Sequence, residues 1–404
     1  MKSSIRLLQE RNIRIFLISS VSQALFRGPV GWILPLLLMQ KAGPFLVGIS
    51  FALANIEDTI LAFVGGPLAD RYGRKPVVIL SSLVYVLGSL FLLLSLLWHG
   101  FLGQALAFLA TICLYGLTGI SSGPESAMVA ESVKDKDIGK SFALLSTSSL
   151  VAKALGSFML GLVYRENPIA AGFIILALSV IATVFYLFLK ETLTPTRAWK
   201  QVSLGAHLKA TLGAISSLGI TSFILPLVVL VVCNGLAHGI SGNYYAPYLE
   251  DMLDLNEAVI GGVYSVMTLL QTILLPLAGW IVDRYGSSMA LLVGNVFVGV
   301  SVLAFSVSTS GSMAISTMLV SAGLGVFHGV GYRVTIARLS ERSFRATLYG
   351  SMDAVWNAMF ILGPIIGGAI YLARPALTFT VASLLLLLTS IPIKQLYSKD
   401  LQDR

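Results

Sequence analysis

Gly66-Pro67-Leu68-Ala69-Asp70-Arg71-Tyr72-Gly73-Arg74-Lys75 is a tight, charged turn between two long apolar runs. Its core pattern, G-x-x-x-D-R-Y-G, returns at Gly279-Trp280-Ile281-Val282-Asp283-Arg284-Tyr285-Gly286. Each copy closes the second hydrophobic run of its half of the chain. The second copy is eroded, with Ser287 and Ser288 where the first has Arg74 and Lys75. A charged turn repeated at the same place in two apolar halves predicts a duplicated helical membrane protein.

Composition agrees. Of 404 residues, 56% are hydrophobic and 11% charged, and the mean hydropathy is +0.86. A soluble domain carries about 25% charged residues. A spanning helix needs about 20 mostly apolar residues, and twelve runs qualify: 13–39, 44–69, 76–97, 103–126, 139–164, 168–189, 223–249, 258–282, 288–308, 312–337, 346–372 and 375–393. The runs form two bundles of six, 1–190 and 223–404. A polar cytoplasmic linker, 191–222, joins them, and its Trp199, Leu204, Leu208 and Leu212 suit a short surface helix. The first run is too long for a signal-peptide core and lacks a convincing cleavage site, so it is expected to stay as the first span. Cys113 and Cys233 both fall inside spans and imply no disulfide framework.

The net charge of +8 orients the protein rather than indicating nucleic acid. With the N-terminus in the cytoplasm, only Lys41, Arg165 and Arg374 fall outside, and only Arg27, Lys153 and Arg333 lie in spans. That is the positive-inside bias. It predicts a multi-pass protein of the cytoplasmic membrane with both termini in the cytoplasm.

Side-chain spacing sorts the helix faces. Span 1 carries Ser20, Gln23, Arg27 and Gly31, and span 4 carries Thr111, Tyr115, Thr118, Ser122 and Glu125. Span 5 carries Ser146, Ser149 and Lys153. Span 7 carries Asn234, His238, Ser241, Tyr245 and Tyr248, and span 8 carries Tyr264, Thr268 and Gln271. His328 and Tyr332 mark span 10, and Tyr349, Asp353, Asn357 and Phe360 mark span 11. Spans 3, 6, 9 and 12 are nearly free of charge. The pattern predicts a polar cavity lined by Gln23, Arg27, Tyr115, Lys153, His238, Tyr245, Gln271, His328 and Asn357. Some Ser, Thr and Gly faces serve instead as tight helix seams.

A charge at bilayer depth costs roughly 2.5–3.5 kcal/mol on insertion scales, so such residues are functional candidates. Arg27, Glu57, Asp58 and Lys153 all fall near mid-span. Neighbours on a helix point about 100° apart, so Glu57 and Asp58 are not both expected to face the cavity. One reading has Arg27 and Lys153 presenting positive charge while Asp58 or Glu57 takes and releases a proton. The other has a permanent Arg27–carboxylate ion pair that only fixes packing. Glu125 and Asp353 are further gate or proton-site candidates. His238 and His328 either titrate near neutrality or serve as neutral hydrogen-bonding groups.

The duplicated turn and the twelve spans resemble the major facilitator superfamily along essentially the whole chain. The first copy matches that family's loop 2–3 signature at Gly66, Asp70, Arg71, Gly73, Arg74 and Lys75, and the second keeps Gly279, Asp283, Arg284 and Gly286. The resemblance implies an all-α fold of two pseudo-symmetric six-helix bundles with a midplane site between them. It also implies that Asp70 docks at the N-terminal end of span 11 and that breaking this contact is part of alternating access. Proton-driven drug antiporters of the family usually carry G-P-x-x-G-G in span 5 and an Arg in span 4. Here Gly363-Pro364-Ile365-Ile366-Gly367-Gly368 lies in span 11, and span 4 has no Arg.

The expected function is secondary active transport of a small organic solute, anionic or zwitterionic, coupled to protons. The alternative is proton-driven efflux of amphipathic drugs. Asp70-Arg71-Tyr72 superficially matches a receptor tripeptide, but twelve spans in two matching halves argue against a receptor. There is no metal-spaced cluster, nucleophile–base pair or G-x-x-x-x-G-K-S/T phosphate loop. The expectation is therefore a monomeric protein with no cofactor and no enzymatic reaction, whose partners are solute, protons and lipid.

Overall fold

The computed structural model describes residue 7 and residues 9–193, 224–339 and 345–400. Every regular element among them is helical. Eleven helices are long and apolar enough to cross a membrane. The first, Arg11–Tyr72, has 62 residues, which at 1.5 Å per residue is about three times the ~30 Å hydrocarbon core. It breaks at Gly43, whose φ of 77° is non-helical, so it makes two crossings and the described residues form twelve spans. The break expected between residues 39 and 44 is thus a sharp kink at Gly43. The others are Arg74–Leu97, Gly100–Glu131, Ile138–Glu166 and Pro168–Leu187 (spans 3 to 6). Ile224–Asp251, Glu257–Tyr285, Ser287–Ser306, Gly311–Arg338, Leu348–Ala373 and Pro375–Leu396 are spans 7 to 12.

The chain folds as two compact units. One holds spans 1 to 6 with the piece Asn256–Ser265, and the other holds the remainder of spans 7 to 12 with Val47–Ala52. Of the expected linker, only residues 191–193 are described. Its proposed surface helix at Trp199, Leu204, Leu208 and Leu212 lies outside the described residues.

Small residues set the seams that place the functional side chains. In the first unit, a Cβ on Gly28 would collide with the carbonyl oxygen of Lys153, and one on Gly156 with that of Leu25. Spans 1 and 5 therefore touch backbone to backbone, the contact that small residues permit inside a membrane. Because Arg27 adjoins Gly28, this seam holds Arg27 and Lys153 side by side. In the second unit Gly239 and Gly363 pack against each other, and Tyr244 Oη donates to Pro364 O at 2.8 Å.

The periodicity expected of span 4 does not survive intact. Its α-helix gives way at Ile112–Gly116 to a π-helix and at Leu117–Ser121 to a 3-10 helix, then resumes. A π turn adds a residue and a 3-10 turn removes one, so the five-residue polar stripe does not hold one face. Thr111 is fully buried and donates to Ala107 O. Ser122 is exposed and donates to Gly119 O. Tyr115 and Glu125 do share a cavity.

Candidate functional site

The first unit encloses a cavity of about 490 Å³. Span 1 supplies Gln23 and Arg27, span 4 Tyr115 and Glu125, and span 5 Ser146, Ser149 and Lys153. Phe16, Phe26, Phe142 and Tyr186 form apolar wall. The Arg27 guanidinium lies 5.3 Å from the ring centre of Tyr85, a buried residue of span 3. Such a cation–π contact steadies a cation without neutralising it. Neither Arg27 nor Lys153 forms an ion pair among the described residues, and both side chains are exposed. The carboxylate of Glu125 accepts from Ser121 Oγ at 2.7 Å. The cavity thus presents two cations, one hydrogen-bonded carboxylate and several neutral polar groups between apolar walls.

Glu57 and Asp58 do not line this cavity. The permanent ion pair of either with Arg27, one of the sequence readings, is not formed. Both carboxylates instead face the irregular part of span 4. A Cβ on Gly116 would lie 2.6 Å from Glu57 Oε2, and one on Gly119 would lie 2.6 Å from Asp58 Oδ1. The two side chains fit against one neighbour because it carries glycines three residues apart. Periodicity gave the angle between Glu57 and Asp58 but not the identity of the element they meet.

The second unit has its own cavity of about 550 Å³, lined by His328, Gly329, Tyr332, Arg333, Tyr349, Asp353 and Trp356. Tyr332, His328, Trp356 and Phe360 form a ladder of near-parallel rings, with centroids 5.8, 6.2 and 5.4 Å apart in turn. His238 lies 5.9 Å from Trp356 at a tilt. Asn295 Nδ2 stands 3.1 Å from His328 Nδ1 and donates to Leu291 O at 2.7 Å. This favours the neutral hydrogen-bonding role for His328, with Nδ1 as acceptor. Tyr245 packs against Phe305 and Phe379 at 5.0 and 4.9 Å and belongs to an aromatic cluster. Gln271 and Asn357 line neither cavity.

Sequence reasoning missed three residues. Tyr85 carried no signal, because a lone aromatic in an apolar span resembles any packing residue. Glu131, the last residue of span 4, pairs with Arg74 of the signature turn. Glu191, just beyond span 6, caps the start of span 3. Its carboxylate accepts from Arg74 N at 3.2 Å and Lys75 N at 3.0 Å, and from Thr192 N and Leu193 N at 2.9 and 3.1 Å. Burial alone would push this carboxyl up, but the four backbone N–H groups together hold it below its usual range. Elsewhere in the turn Asp70 is exposed, and Arg71 lies 5.1 Å from the Tyr72 ring. The expected contact of Asp70 with the start of span 11 adjoins the undescribed residues 340–344 and stays an expectation. No group of three His, Cys, Asp or Glu able to hold a metal occurs among the described residues.

Twelve apolar spans and charged cavities in the membrane interior define a polytopic transporter. The sequence model of the Major Facilitator Superfamily matches residues 16–237 and 227–399, and the chain belongs to that superfamily. It is 23% identical over 370 residues to a class B tetracycline resistance protein of Escherichia coli, covering 89% of this chain and 88% of the relative. It is 33% identical over 124 residues to the quinolone resistance protein NorA of Staphylococcus aureus, covering 30% and 31%. Among solved structures, the fold is like that of the nucleoside transporter NupG, with a TM-score of 0.75, 14% identity and 96% and 98% coverage. It is also like that of the xylose transporter XylE from E. coli, with a TM-score of 0.68, 12% identity and 94% and 95% coverage.

Proposed function

We propose that this protein is a proton-coupled secondary active transporter whose solute carries an anionic group and binds in the cavity of the first unit. The observation that carries the proposal is the pair Arg27 and Lys153, both exposed to one cavity and neither ion-paired. Two cations against one carboxylate leave a net positive site. An unpaired charge at bilayer depth is retained where something binds it. Gln23 and Tyr115 add hydrogen-bonding groups, and the aromatic walls suit an apolar body. Glu57, Asp58, Glu125 and Asp353 are the candidates for the proposed proton carrier, and Asp70 with Arg71, Arg74 and Lys75 form the proposed conformational latch. The cytoplasmic membrane, with both termini inside, is the proposed setting, and the monomer the proposed unit.

A second reading, efflux of amphipathic drugs, draws on two observations. The relatives include resistance proteins by name, which supports outward movement. The ring ladder beside Asp353 supports a flat, apolar, cationic solute.

One screen separates the two. Detergent-purified protein is heated with pooled organic anions, organic cations and neutral metabolites, and the unfolding midpoint is read. The anion reading expects stabilisation by an anion that Arg27→Gln or Lys153→Gln removes. Losing one charge-assisted contact weakens binding about tenfold or more. Stabilisation by several unrelated amphipathic cations, unaffected by those substitutions, would sink it in favour of drug efflux.

A further inference from the structure

Span 4 stands between the two groups of charges in the first unit. On one side its Leu114 and Tyr115 line the cavity that holds Arg27 and Lys153. On the other, Gly116 and Gly119 receive Glu57 and Asp58. The intervening backbone is the stretch where α-helical geometry fails, π at Ile112–Gly116 and 3-10 at Leu117–Ser121. Breaks of this kind concentrate at functional sites and hinges, since two hydrogen-bonding patterns of similar energy are available there.

The two carboxylates differ in what surrounds them. Arg27 of span 1 lies within electrostatic reach of Asp58. Glu57 has no opposite charge within reach among the described residues. Its titratable neighbours are Asp58 on its own helix and Cys113 on span 4, which is buried. Its Oε2 is shut off from solvent and has no hydrogen-bond partner. Glu57 as a whole is half-buried, so on ionisation this one oxygen would hold charge with neither water nor a hydrogen bond to answer it, a cost the neutral acid largely avoids.

We infer that Glu57 is the proton-binding residue of this transporter and that the irregular turn of span 4 senses its charge. The inference rests on the proton coupling proposed above and names the residue and the element that carry it. With Glu57 neutral, the seam between spans 2 and 4 closes at Gly116, as in this structure. When the proton leaves, the ion draws in water, the seam opens, and the π and 3-10 turns are free to rewind. Rewinding turns Tyr115 relative to Arg27 and Lys153, so the proton state reaches the solute cavity through one helix.

The test needs no solute. Hydrogen–deuterium exchange of the intact protein is followed in peptides covering 112–121 at about pH 5 and about pH 9, either side of neutrality. Rates are corrected for the intrinsic pH dependence of exchange. The expected result is about tenfold faster opening of this segment at the higher pH, with flanking parts of span 4 unchanged. Glu57→Gln should keep exchange slow at both values, and Asp58→Asn should leave the pH response in place. Gly116→Ala, whose Cβ would push Glu57 Oε2 aside, should make exchange fast at both. The inference is overturned by a pH-independent segment in the unaltered protein, by a response that survives Glu57→Gln, or by one that only Asp58→Asn removes. Flat exchange with anion binding intact overturns this inference alone. Lost anion binding with the response intact overturns only the solute reading.

Discussion

The two copies of the signature turn share a backbone and differ in what the next helix must satisfy. Gly73 and Gly286 have φ of 96° and 93°, the region open to glycine. Each N–H closes the preceding helix, on Ala69 O at 2.9 Å and on Val282 O at 3.0 Å. Beyond the glycine the copies part. Span 3 opens with Arg74 and Lys75, and two carboxylates answer them: Glu131 pairs with the Arg74 side chain and Glu191 takes the free N–H groups. Span 9 opens with Ser287 and Ser288, each 2% exposed, and Gly331 fits against Ser287 O. The first copy is thus an electrostatic joint and the second a packed one. A duplicated sequence conserves the turn because the backbone requires it, and leaves each half free to brace the following helix its own way.

Making the second copy like the first is the harshest way to break the comparison. Ser287 occupies the position of Arg74. Ser287→Arg places a cation in a packed seam where the native serine is 2% exposed. An uncompensated buried charge costs about 3–5 kcal/mol, reduced where a long side chain snorkels. The expected outcome is loss of most folded protein, read by size-exclusion of a fluorescent fusion. Wild-type yield with Ser287→Arg would show that the second seam is as open to charge as the first.

A milder test concerns the residue just before each turn. Gly65 corresponds to Ala278. A Cβ on Gly65 would collide with Ile120 O in the 3-10 part of span 4, while Ala278 already carries one and is fully buried. Gly65→Ala should therefore cost about 1–3 kcal/mol through overpacking. Ala278→Gly should cost about 1 kcal/mol, from helix propensity and a small void. Thermal midpoints of the two variants measure the difference, and equal losses would mean that the seams are equivalent after all.

How much of this was legible follows from which interactions are local. The twelve crossings were, because the bilayer sets a length and an apolar content that a run either has or lacks. Helical spacing also put Gln23 and Arg27 on one face, and both line the cavity of the first unit, but it joined them to residues such as Gln271 and Asn357 that do not. The kink at Gly43 was hidden because a single glycine turns the chain there without a polar loop to mark it. That Glu57 and Asp58 both meet span 4 was not legible, because periodicity is silent about rotation of the whole helix. The break in span 4 scrambled a regular stripe, and glycine spacing alone does not announce a π turn. Glu191 was beyond reach: it lies 117 residues from the Arg74 N–H it accepts from, and only the tertiary fold joins them.

That cap also gives the smallest and sharpest test of the electrostatic joint. Glu191→Gln removes the charge and leaves one amide oxygen to serve N–H groups now shared between two, so span 3 should lose about 1 kcal/mol at neutral pH, the size of a typical helix cap. The pH dependence fixes the cause. A carboxyl held below its usual range in the folded protein adds stability above its unfolded value of about 4.3, and that stability fades as pH falls through the lower folded value. Unaltered protein and Glu191→Gln should accordingly differ at neutral pH and converge in acid. The measurement is the unfolding midpoint of both proteins from neutral to acidic pH. A gap that persists unchanged into acid would assign the loss to packing of the side chain and would leave the joint without its charge.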